Sequence, residues 1–345
     1  MRYKLLGKSG LRVSELCIGT MTFGEEEGWG ASKDESRKIL EAFAEAGGNF
    51  VDTANNYSNG TSERWIGEFI GAERHRFVLA TKYTFNQRRG DPNAGGNHRK
   101  NLVHALEGSL QRLRTDYVDL YWVHAWDALT PVEETMRALD DVVRAGKVLY
   151  LGISNMPAWL VAQANTLAQH RCWTPFVALQ VEYSLIERTP ERELLPMARA
   201  FEMAVAPWSP LGGGLLSGKY VSAGAPGEPA RLHTINQAKL SPRNLAIAET
   251  LRRVAAGIDR SPAQVGLAWL RAQGSWLIPI LGARTLRQLQ DNLGCLEIHL
   301  AAEHLVQLDD ASKIELGYPH DFLARPRTCE RLHGGTFDSI DAPRR

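Results

Sequence analysis

The sequence predicts a (β/α)8 TIM barrel, an α/β fold in which eight parallel strands and eight helices alternate around a closed barrel. Short apolar, β-branched runs alternate with amphipathic segments about eight times, which is the pattern of a parallel sheet. No Pro- or Ser-rich linker divides the 345 residues, so we expect one domain over residues 1–345. An open, doubly wound sheet is the alternative.

The strands are predicted where apolar runs are bounded by turn signals. They fall at residues 16–19, 50–52, 77–82, 117–124, 148–154, 177–182, 204–208 and 276–280. Residues 3–6 and 11–13, joined by a Gly-bounded turn, predict an N-terminal β-hairpin outside the repeat. Residues 211–240 are expected to form a long loop, and the C-terminal extension from about 317 to 345 is expected to be irregular.

The helices are predicted where apolar residues recur at helical spacing and a capping residue precedes them. They cover about 33–46, 62–70, 99–112, 131–145, 158–169, 191–201, 285–293 and 301–314, and two more begin at Pro242 and Pro262. Ser32 with Glu35 has the spacing of a capping box, and Thr130 with Glu133 repeats it. Thr189 is predicted to cap the helix at 191–201.

The composition argues against several classes of function. Lys and Arg number 40 against 39 Asp and Glu, so the basic excess typical of a nucleic-acid binder is missing. Four scattered cysteines without a CxxC pair predict reduced thiols in the cytoplasm and no cysteine zinc site. The histidines are dispersed, so we expect no metal site. Neither a signal peptide nor a membrane span is predicted.

Polar side chains end six consecutive predicted strands, from the second to the seventh. These residues are Asp52, Lys82, His124, Ser154 with Asn155, Gln180 with Glu182, and Trp208 with Ser209. In a barrel the carboxyl ends of the strands meet at one rim, where the chemistry of such folds takes place. The sequence therefore predicts a functional site at that rim.

Tyr57 follows Asp52 by five residues, close enough for its loop to fold back over the rim. A tyrosine titrates near 10, and lowering that value by about two units requires about 2.7 kcal/mol. An ammonium about 4 Å away supplies about 4 kcal/mol at an effective dielectric constant of about 20. We therefore expect Lys82 to lower the pKa of Tyr57, and Asp52 to hold Lys82 charged.

The order and context of these residues resemble the aldo-keto reductase family. The matching segments are Leu-Cys-Ile-Gly-Thr at 16–20, Val-Asp-Thr-Ala-Asn-Asn-Tyr at 51–57, Gly-Ile-Ser-Asn at 152–155, Gln-Val-Glu-Tyr-Ser-Leu at 180–185, Trp-Ser-Pro-Leu-Gly at 208–212 and Ile-Pro-Ile-Leu-Gly-Ala-Arg at 278–284. The resemblance runs from about residue 2 to 316. The sequence of these segments looks closest to that of bacterial members that resemble potassium-channel β subunits.

The resemblance implies a barrel closed at the bottom by the hairpin and a nicotinamide cofactor, NADPH or NADP, across the top. It implies that Tyr57 is the general acid, that Lys82 and Asp52 support it, and that His124 orients the carbonyl of a small-molecule substrate. The implied cofactor residues are Gly19, Thr20, Asp52, Ser154, Asn155, Gln180, Trp208, Ser209, Pro210, Leu211, Gly213, Leu215, Ser217, Lys219, Gly282, Arg284, Gln288, Asp291 and Asn292.

Arg284 favours NADP, because a guanidinium can bind a 2′-phosphate with two hydrogen bonds, although NAD stays open. Trp29, Phe85 and Trp126 lie in predicted rim loops and are candidates for the substrate pocket. Two other functions stay open at this point: a nucleotide-sensing regulatory subunit with little turnover, and an NAD-dependent sugar or polyol dehydrogenase. The sequence leaves the oligomeric state undetermined.

Overall fold

The computed structural model describes residues 1–26, 28–218 and 237–341 and contains the predicted parallel barrel. An antiparallel pair, β1 (Tyr3–Leu5) and β2 (Arg12–Ser14), precedes an eight-stranded sheet. The sheet strands are β3 (Cys17–Gly19), β4 (Phe50–Asp52), β5 (Val78–Tyr83), β6 (Val118–Val123), β7 (Val148–Ser154), β8 (Phe176–Glu182), β9 (Ala204–Trp208) and β10 (Ile280–Leu281). They are hydrogen-bonded in the order β10-β3-β4-β5-β6-β7-β8-β9.

The two ends of this sheet meet, which closes the barrel. β10 pairs in parallel with β3, and the segment before β10 pairs with β9 through a bridge between Val205 and Leu277. Two backbone hydrogen bonds complete this seam: Val205 N–H to the Trp276 carbonyl at 2.9 Å, and Ile278 N–H to the Val205 carbonyl at 2.8 Å. The predicted (β/α)8 TIM barrel is therefore confirmed.

The helices lie around the barrel and bury an apolar stripe against it. They are α1 (Lys33–Glu45), α2 (Thr61–Ile70), α3 (Arg99–Leu113), α4 (Val132–Arg144), α5 (Ala158–Arg171), α6 (Leu194–Ala200), α7 (Pro242–Gly257), α8 (Pro262–Ala272), α9 (Leu286–Leu293) and α10 (Ala302–Ser312). Ser241 and Ser261 cap α7 and α8 as the Ser-Pro pairs predict, each accepting a backbone N–H three residues on.

The barrel interior is a separate apolar cluster from the layer between strands and helices. Leu6 and Val13, from the predicted hairpin, are fully buried in the interior cluster, so the hairpin closes the bottom of the barrel. Higher in the interior, Lys82, Trp122 and Gly152 lie in register on β5, β6 and β7. Gly152 leaves the space that the Trp122 ring occupies, since a Cβ there would lie 2.2 Å from the ring.

Several predicted caps form differently from the sequence expectation. Ser32 does accept the Glu35 N–H, but the Glu35 carboxylate accepts the Leu286 N–H at 2.6 Å instead of completing a capping box. Thr130 does not cap α4, because its hydroxyl bonds to Asp127 at 2.5 Å. Thr189 bonds to the Glu187 carboxylate, and a 3-10 turn over Thr189–Glu191 precedes α6 where one longer helix was expected.

The prediction of an irregular tail is wrong for part of its length. The tail contains α11 (His320–Leu323) and α12 (Pro326–His333). Pro326 occupies the first turn of α12, and Gly334, with φ of 58°, ends it in the left-handed conformation. Large apolar side chains of this tail remain exposed, including Tyr318 and Leu332.

Among the helices of the described residues, none has the length and apolar content required to cross a membrane.

Candidate active site

Four of the predicted residues meet at the carboxyl ends of neighbouring strands. Asp52 ends β4, Lys82 lies next to the end of β5, His124 follows β6, and Tyr57 reaches back from the loop after β4. The Lys82 ammonium lies 2.5 Å from Asp52 Oδ2 and 3.1 Å from Tyr57 Oη. The Tyr57 and His124 ring centroids are 6.0 Å apart, edge to face. The structure thus brings the predicted tetrad together.

The Lys82 side chain is fully enclosed and has three oxygen partners. Besides Asp52 and Tyr57, its ammonium donates to the Thr53 carbonyl at 2.8 Å. Three acceptors match the three protons of an ammonium group. Lys82 is therefore held at one point directly below the Tyr57 hydroxyl.

The loop that carries Tyr57 is a tight, irregular turn. Ser58 and Asn59 adopt left-handed φ values of 46° and 51°, and the Tyr57 N–H bonds to the Ala54 carbonyl at 3.2 Å. This turn aims the tyrosine ring back across the rim, where the Lys82 Nζ lies 4.7 Å from the ring centroid.

Burial dominates the electrostatics of this cluster. Lys82 lowers the pKa of Tyr57, as expected, but burial raises it by more, so the pKa of Tyr57 lies above its ordinary value. Burial likewise raises the pKa of Asp52, although Lys82 pulls it down. For Lys82, burial favours the neutral form, but Asp52 and Tyr57 outweigh it and raise the pKa. Tyr57 is therefore a protonated donor beside a permanent cation.

His124 is held neutral. Burial, and secondarily the Lys82 charge, lower its pKa to about 2. The Asn155 side-chain amide donates to the His124 carbonyl at 2.9 Å, and the Phe85 ring lies 4.5 Å from the imidazole, centroid to centroid. Nδ1 is buried without a hydrogen-bond partner among the described residues. A neutral imidazole can donate one hydrogen bond but brings no charge to the site.

Four further predicted residues surround the rim beside Asp52. The Gln180 amide donates to Asp52 Oδ1 at 3.2 Å, and the Trp208 indole donates to Asn155 Oδ1 at 3.2 Å. The Ser154 hydroxyl is fully buried and has no hydrogen-bond partner within the described residues. An unsatisfied buried hydroxyl next to two side-chain amides suits a ligand that carries its own amide group, as a nicotinamide does.

The Gly-rich turn after β9 presents its backbone at the same rim. Ser209 and Gly213 have left-handed φ values of 52° and 70°, and Ser209 Oγ accepts the Gly213 N–H at 3.0 Å. Ser217 Oγ donates to the Gly214 carbonyl at 2.7 Å. Pro210 and Leu215 are buried, whereas Leu211 packs partly buried against the core. Lys219, predicted to end this set, lies outside the described residues.

The residues predicted to bind the adenosine follow β10, and two hydrogen bonds join four of them in pairs. The Arg284 N–H donates to Gln288 Oε1 at 2.8 Å, and the Asn292 amide donates to the Gly282 carbonyl at 3.3 Å. The Asp291 carboxylate accepts from Ser261 and Gln264 at the start of α8, at 3.0 and 2.9 Å. Asp291 therefore anchors the start of α8 in this structure.

Gly19 and Thr20, at the end of β3, are enclosed. A Cβ at Gly19 would lie 2.7 Å from an Ile280 side-chain carbon, so β10 approaches too closely for a larger residue. The Thr20 side chain has no exposed surface, and its hydroxyl bonds to the Asp52 carbonyl at 3.1 Å and to Ser62 Oγ at 2.7 Å.

Exposed aromatic side chains border the tetrad on one side. Phe85 and Trp126 are 43% and 46% exposed, and the Trp126 N–H bonds to the Asn155 carbonyl at 3.2 Å. Trp159, in the first turn of α5, packs edge-on against Trp126 with centroids 6.3 Å apart and is 62% exposed. Trp29 lies five residues after Gly24, where a Cβ would lie 2.4 Å from the Ser58 side chain in the Tyr57 turn.

Sequence reasoning missed Trp159. The sequence does contain a signal for it: Trp159 comes four residues after the rim residue Asn155, at the start of a predicted helix. The first turn of a helix that follows a rim residue lies close to the rim.

Within the part of the chain that the structure describes, no group of three or more His, Cys, Asp or Glu side chains is placed to hold a metal ion.

Comparison with known proteins finds a matching family model and several similar proteins. A model of the Aldo/keto reductase family matches residues 15–313. The chain is 38% identical over 334 residues to "Norsolorinic acid reductase" of Aspergillus flavus, covering 92% of this chain and 83% of that protein. It is 34% identical over 339 residues to "Putative aryl-alcohol dehydrogenase AAD14" of Saccharomyces cerevisiae, covering 93% and 89%. These relatives are fungal and do not support the narrower resemblance to bacterial, channel-subunit-like members.

Proposed function

Because the chain belongs to the aldo/keto reductase family of oxidoreductases, we propose that it reduces an aldehyde or ketone to an alcohol with NADPH, with Tyr57 as the general acid. The observation that carries this proposal is the Asp52–Lys82–Tyr57 cluster: a partly buried, protonated phenol within 3.1 Å of a fixed ammonium. The neutral His124 beside it supplies a hydrogen-bond donor for the substrate carbonyl.

The residues around the tetrad fit a nicotinamide cofactor. Ser154, Asn155 and Gln180 would bind its carboxamide, which the unsatisfied Ser154 hydroxyl supports. Trp208 would stack on the ring. When bound, the nicotinamide supplies the hydride. The remaining residues proposed for the cofactor are Gly19 and Thr20 beside the ribose, Ser209, Pro210, Leu211, Gly213, Leu215, Ser217 and Lys219 along the pyrophosphate, and Gly282, Arg284, Gln288, Asp291 and Asn292 at the adenosine.

The chain's own contribution to the reaction is proton transfer and charge stabilisation. Tyr57 Oη donates its proton to the carbonyl oxygen, and the phenolate that remains lies beside the Lys82 ammonium, which stabilises it. Asp52 and the Thr53 carbonyl hold that ammonium in place. His124 orients the carbonyl without contributing a proton of its own, because its pKa of about 2 keeps it neutral.

For the substrate we propose an aryl aldehyde or aryl ketone. The Phe85 ring lies beside His124, and Trp126, two residues after His124, packs against Trp159. All three rings are exposed, and exposed aromatic surface beside a site suits an aryl group. The printed names of the relatives, a norsolorinic acid reductase and an aryl-alcohol dehydrogenase, point to the same class. The dehydrogenase name also favours a second candidate function, oxidation of an aryl alcohol with NADP or NAD.

The central test is the Tyr57→Phe variant, assayed by the fall in nicotinamide absorbance with nitrobenzaldehydes. We expect turnover to fall by at least about 100-fold, because general-acid catalysis contributes about 10²–10⁴, with the Kd for NADPH unchanged. Tyr117→Phe removes a phenol hydroxyl that bonds to His75, before β6 begins, and serves as the matched control. Normal turnover by Tyr57→Phe would refute the assignment of the acid. Tightly held cofactor with negligible wild-type turnover would favour the regulatory subunit.

Preference for NADPH is tested separately at Arg284. Arg284→Ala should weaken NADPH binding by about tenfold and leave NADH binding within about twofold, since only NADPH carries the 2′-phosphate. Equal losses for both cofactors would remove Arg284 from that role.

A cytoplasmic location, proposed from the scattered cysteines, accords with the four unpaired thiols and is tested by cell fractionation.

A further inference from the structure

Three hydroxyl side chains form a fully buried cluster directly behind the tetrad. They are Thr20 after β3, Thr53 after β4, and Ser62 in the first turn of α2, and none has exposed surface. Ser62 Oγ lies 2.7 Å from Thr20 Oγ1, 3.0 Å from Thr53 Oγ1 and 2.9 Å from the Thr20 carbonyl. Ser62 is therefore the common partner of the other two.

Each of these threonines also touches the catalytic ion pair. The Thr53 carbonyl accepts the Lys82 ammonium at 2.8 Å. The Thr20 N–H and hydroxyl both donate to the Asp52 carbonyl, at 2.9 and 3.1 Å. Through these bonds the Ser62 hydroxyl fixes the backbone on both sides of the Asp52–Lys82 pair.

We propose that Ser62 is a positioning residue for Lys82, acting through Thr53 and Thr20 rather than by contact with substrate or cofactor. The proposal rests on the proposed function, in which Lys82 must lie within hydrogen-bond distance of Tyr57. The Ser62 hydroxyl donates its one proton to the Thr20 carbonyl, so in the contact between Ser62 and Thr53 the Thr53 hydroxyl is the donor and the Ser62 oxygen is the acceptor. Without that oxygen a buried hydroxyl is left unsatisfied, and the Thr53 backbone shifts to find another partner.

The consequence of that shift falls on Lys82. Its ammonium loses the Thr53 carbonyl, one of the three acceptors that favour its charged form. Losing a hydrogen bond to the charged form lowers the pKa of a lysine. The ammonium is then both less fixed beneath Tyr57 and more readily neutralised.

The test compares Ser62→Ala with Ser36→Ala. Ser36, on α1, is also fully buried, but its hydroxyl has no hydrogen-bond partner among the described residues, so its removal controls for the loss of a buried hydroxyl oxygen. For Ser62→Ala we expect kcat with a nitrobenzaldehyde to fall about tenfold, the Kd for NADPH to stay within about twofold, and the alkaline limb of the pH–rate profile to move to lower pH. A crystal structure of this variant should show the Thr53 carbonyl beyond hydrogen-bond distance from Lys82.

A second pair of variants covers the case in which Ser62→Ala fails to fold. Thr53→Val removes the hydroxyl and keeps the shape, whereas Thr53→Ser keeps the hydroxyl and should restore most of the activity. Equal kcat and equal pH profiles for Ser62→Ala and Ser36→Ala would overturn the proposal. If the wild-type protein reduces no carbonyl, the proposed function fails, and the distance from Thr53 to Lys82 in the variant still decides the role of Ser62.

Discussion

Replacement of Lys82 by Met is the sharpest test of the electrostatics of this site. Methionine fills a similar volume but removes the charge that lies 3.1 Å from Tyr57 Oη. At an effective dielectric constant of about 20, a full phenolate charge at that distance is attracted to the ammonium by about 5 kcal/mol. A transition state with half of that charge loses about 2.5 kcal/mol, so we expect the rate to fall by about 10²-fold.

The assay is single-turnover oxidation of bound NADPH by an aryl aldehyde, with NADPH affinity measured separately. Asp52, left without its partner, should take up a proton, because burial already raises its pKa. This limits the loss of stability that an unpaired buried charge would cause. Lys38→Met, on the exposed face of α1, is the matched control. If Lys82→Met bound NADPH normally and retained a rate within fivefold of wild type, the charge argument would be refuted.

Two further predictions concern stability, and both are measured by urea unfolding. Gly152→Ala places a Cβ 2.2 Å from the Trp122 ring, so we expect the free energy of unfolding to fall by about 1–3 kcal/mol. In the control Gly71→Ala the Cβ meets nothing within 4 Å, and the free energy of unfolding should fall by well under that amount. Equal losses in the two variants would contradict the packing argument. Burial and the Lys82 charge hold the pKa of His124 at about 2 in the folded protein, against 6.5 in the unfolded chain. Below pH 6.5 protons therefore bind the unfolded chain preferentially, and the stability that is present above pH 6.5 is lost as the pH falls. Between pH 7.5 and pH 4.5 wild type should lose about 2.7 kcal/mol more than His124→Gln, and identical pH dependence of the two proteins would show that His124 is not held neutral.

The rim could be predicted from the sequence because a barrel places all strand ends on one side. Asp52, Lys82 and His124 needed only the alternation of strands and helices to be brought together, and Tyr57 needed only a short loop. Both features depend on residues that are close together in the chain, so they can be predicted from the sequence.

What the sequence did not predict depends on contacts between distant segments. Thr130 was expected to cap a helix, but the nearby Asp127 carboxylate competes for its hydroxyl. The Glu35 carboxylate was expected to complete a capping box with Ser32, but it accepts the N–H of Leu286, 251 residues away. The net direction of the Tyr57 pKa depends on how much water the fold excludes, which spacing alone does not reveal.

The closed barrel joins the beginning of the chain to its end. β3 is hydrogen-bonded to β10, the Lys4 ammonium donates to the Leu277 carbonyl at 2.7 Å, and Glu35 holds the start of α9. These contacts have a very high sequence separation, and such contacts form late because a long loop must be ordered first. During synthesis on the ribosome, one edge of β3 therefore stays unpaired until β10, at residues 280–281, has emerged.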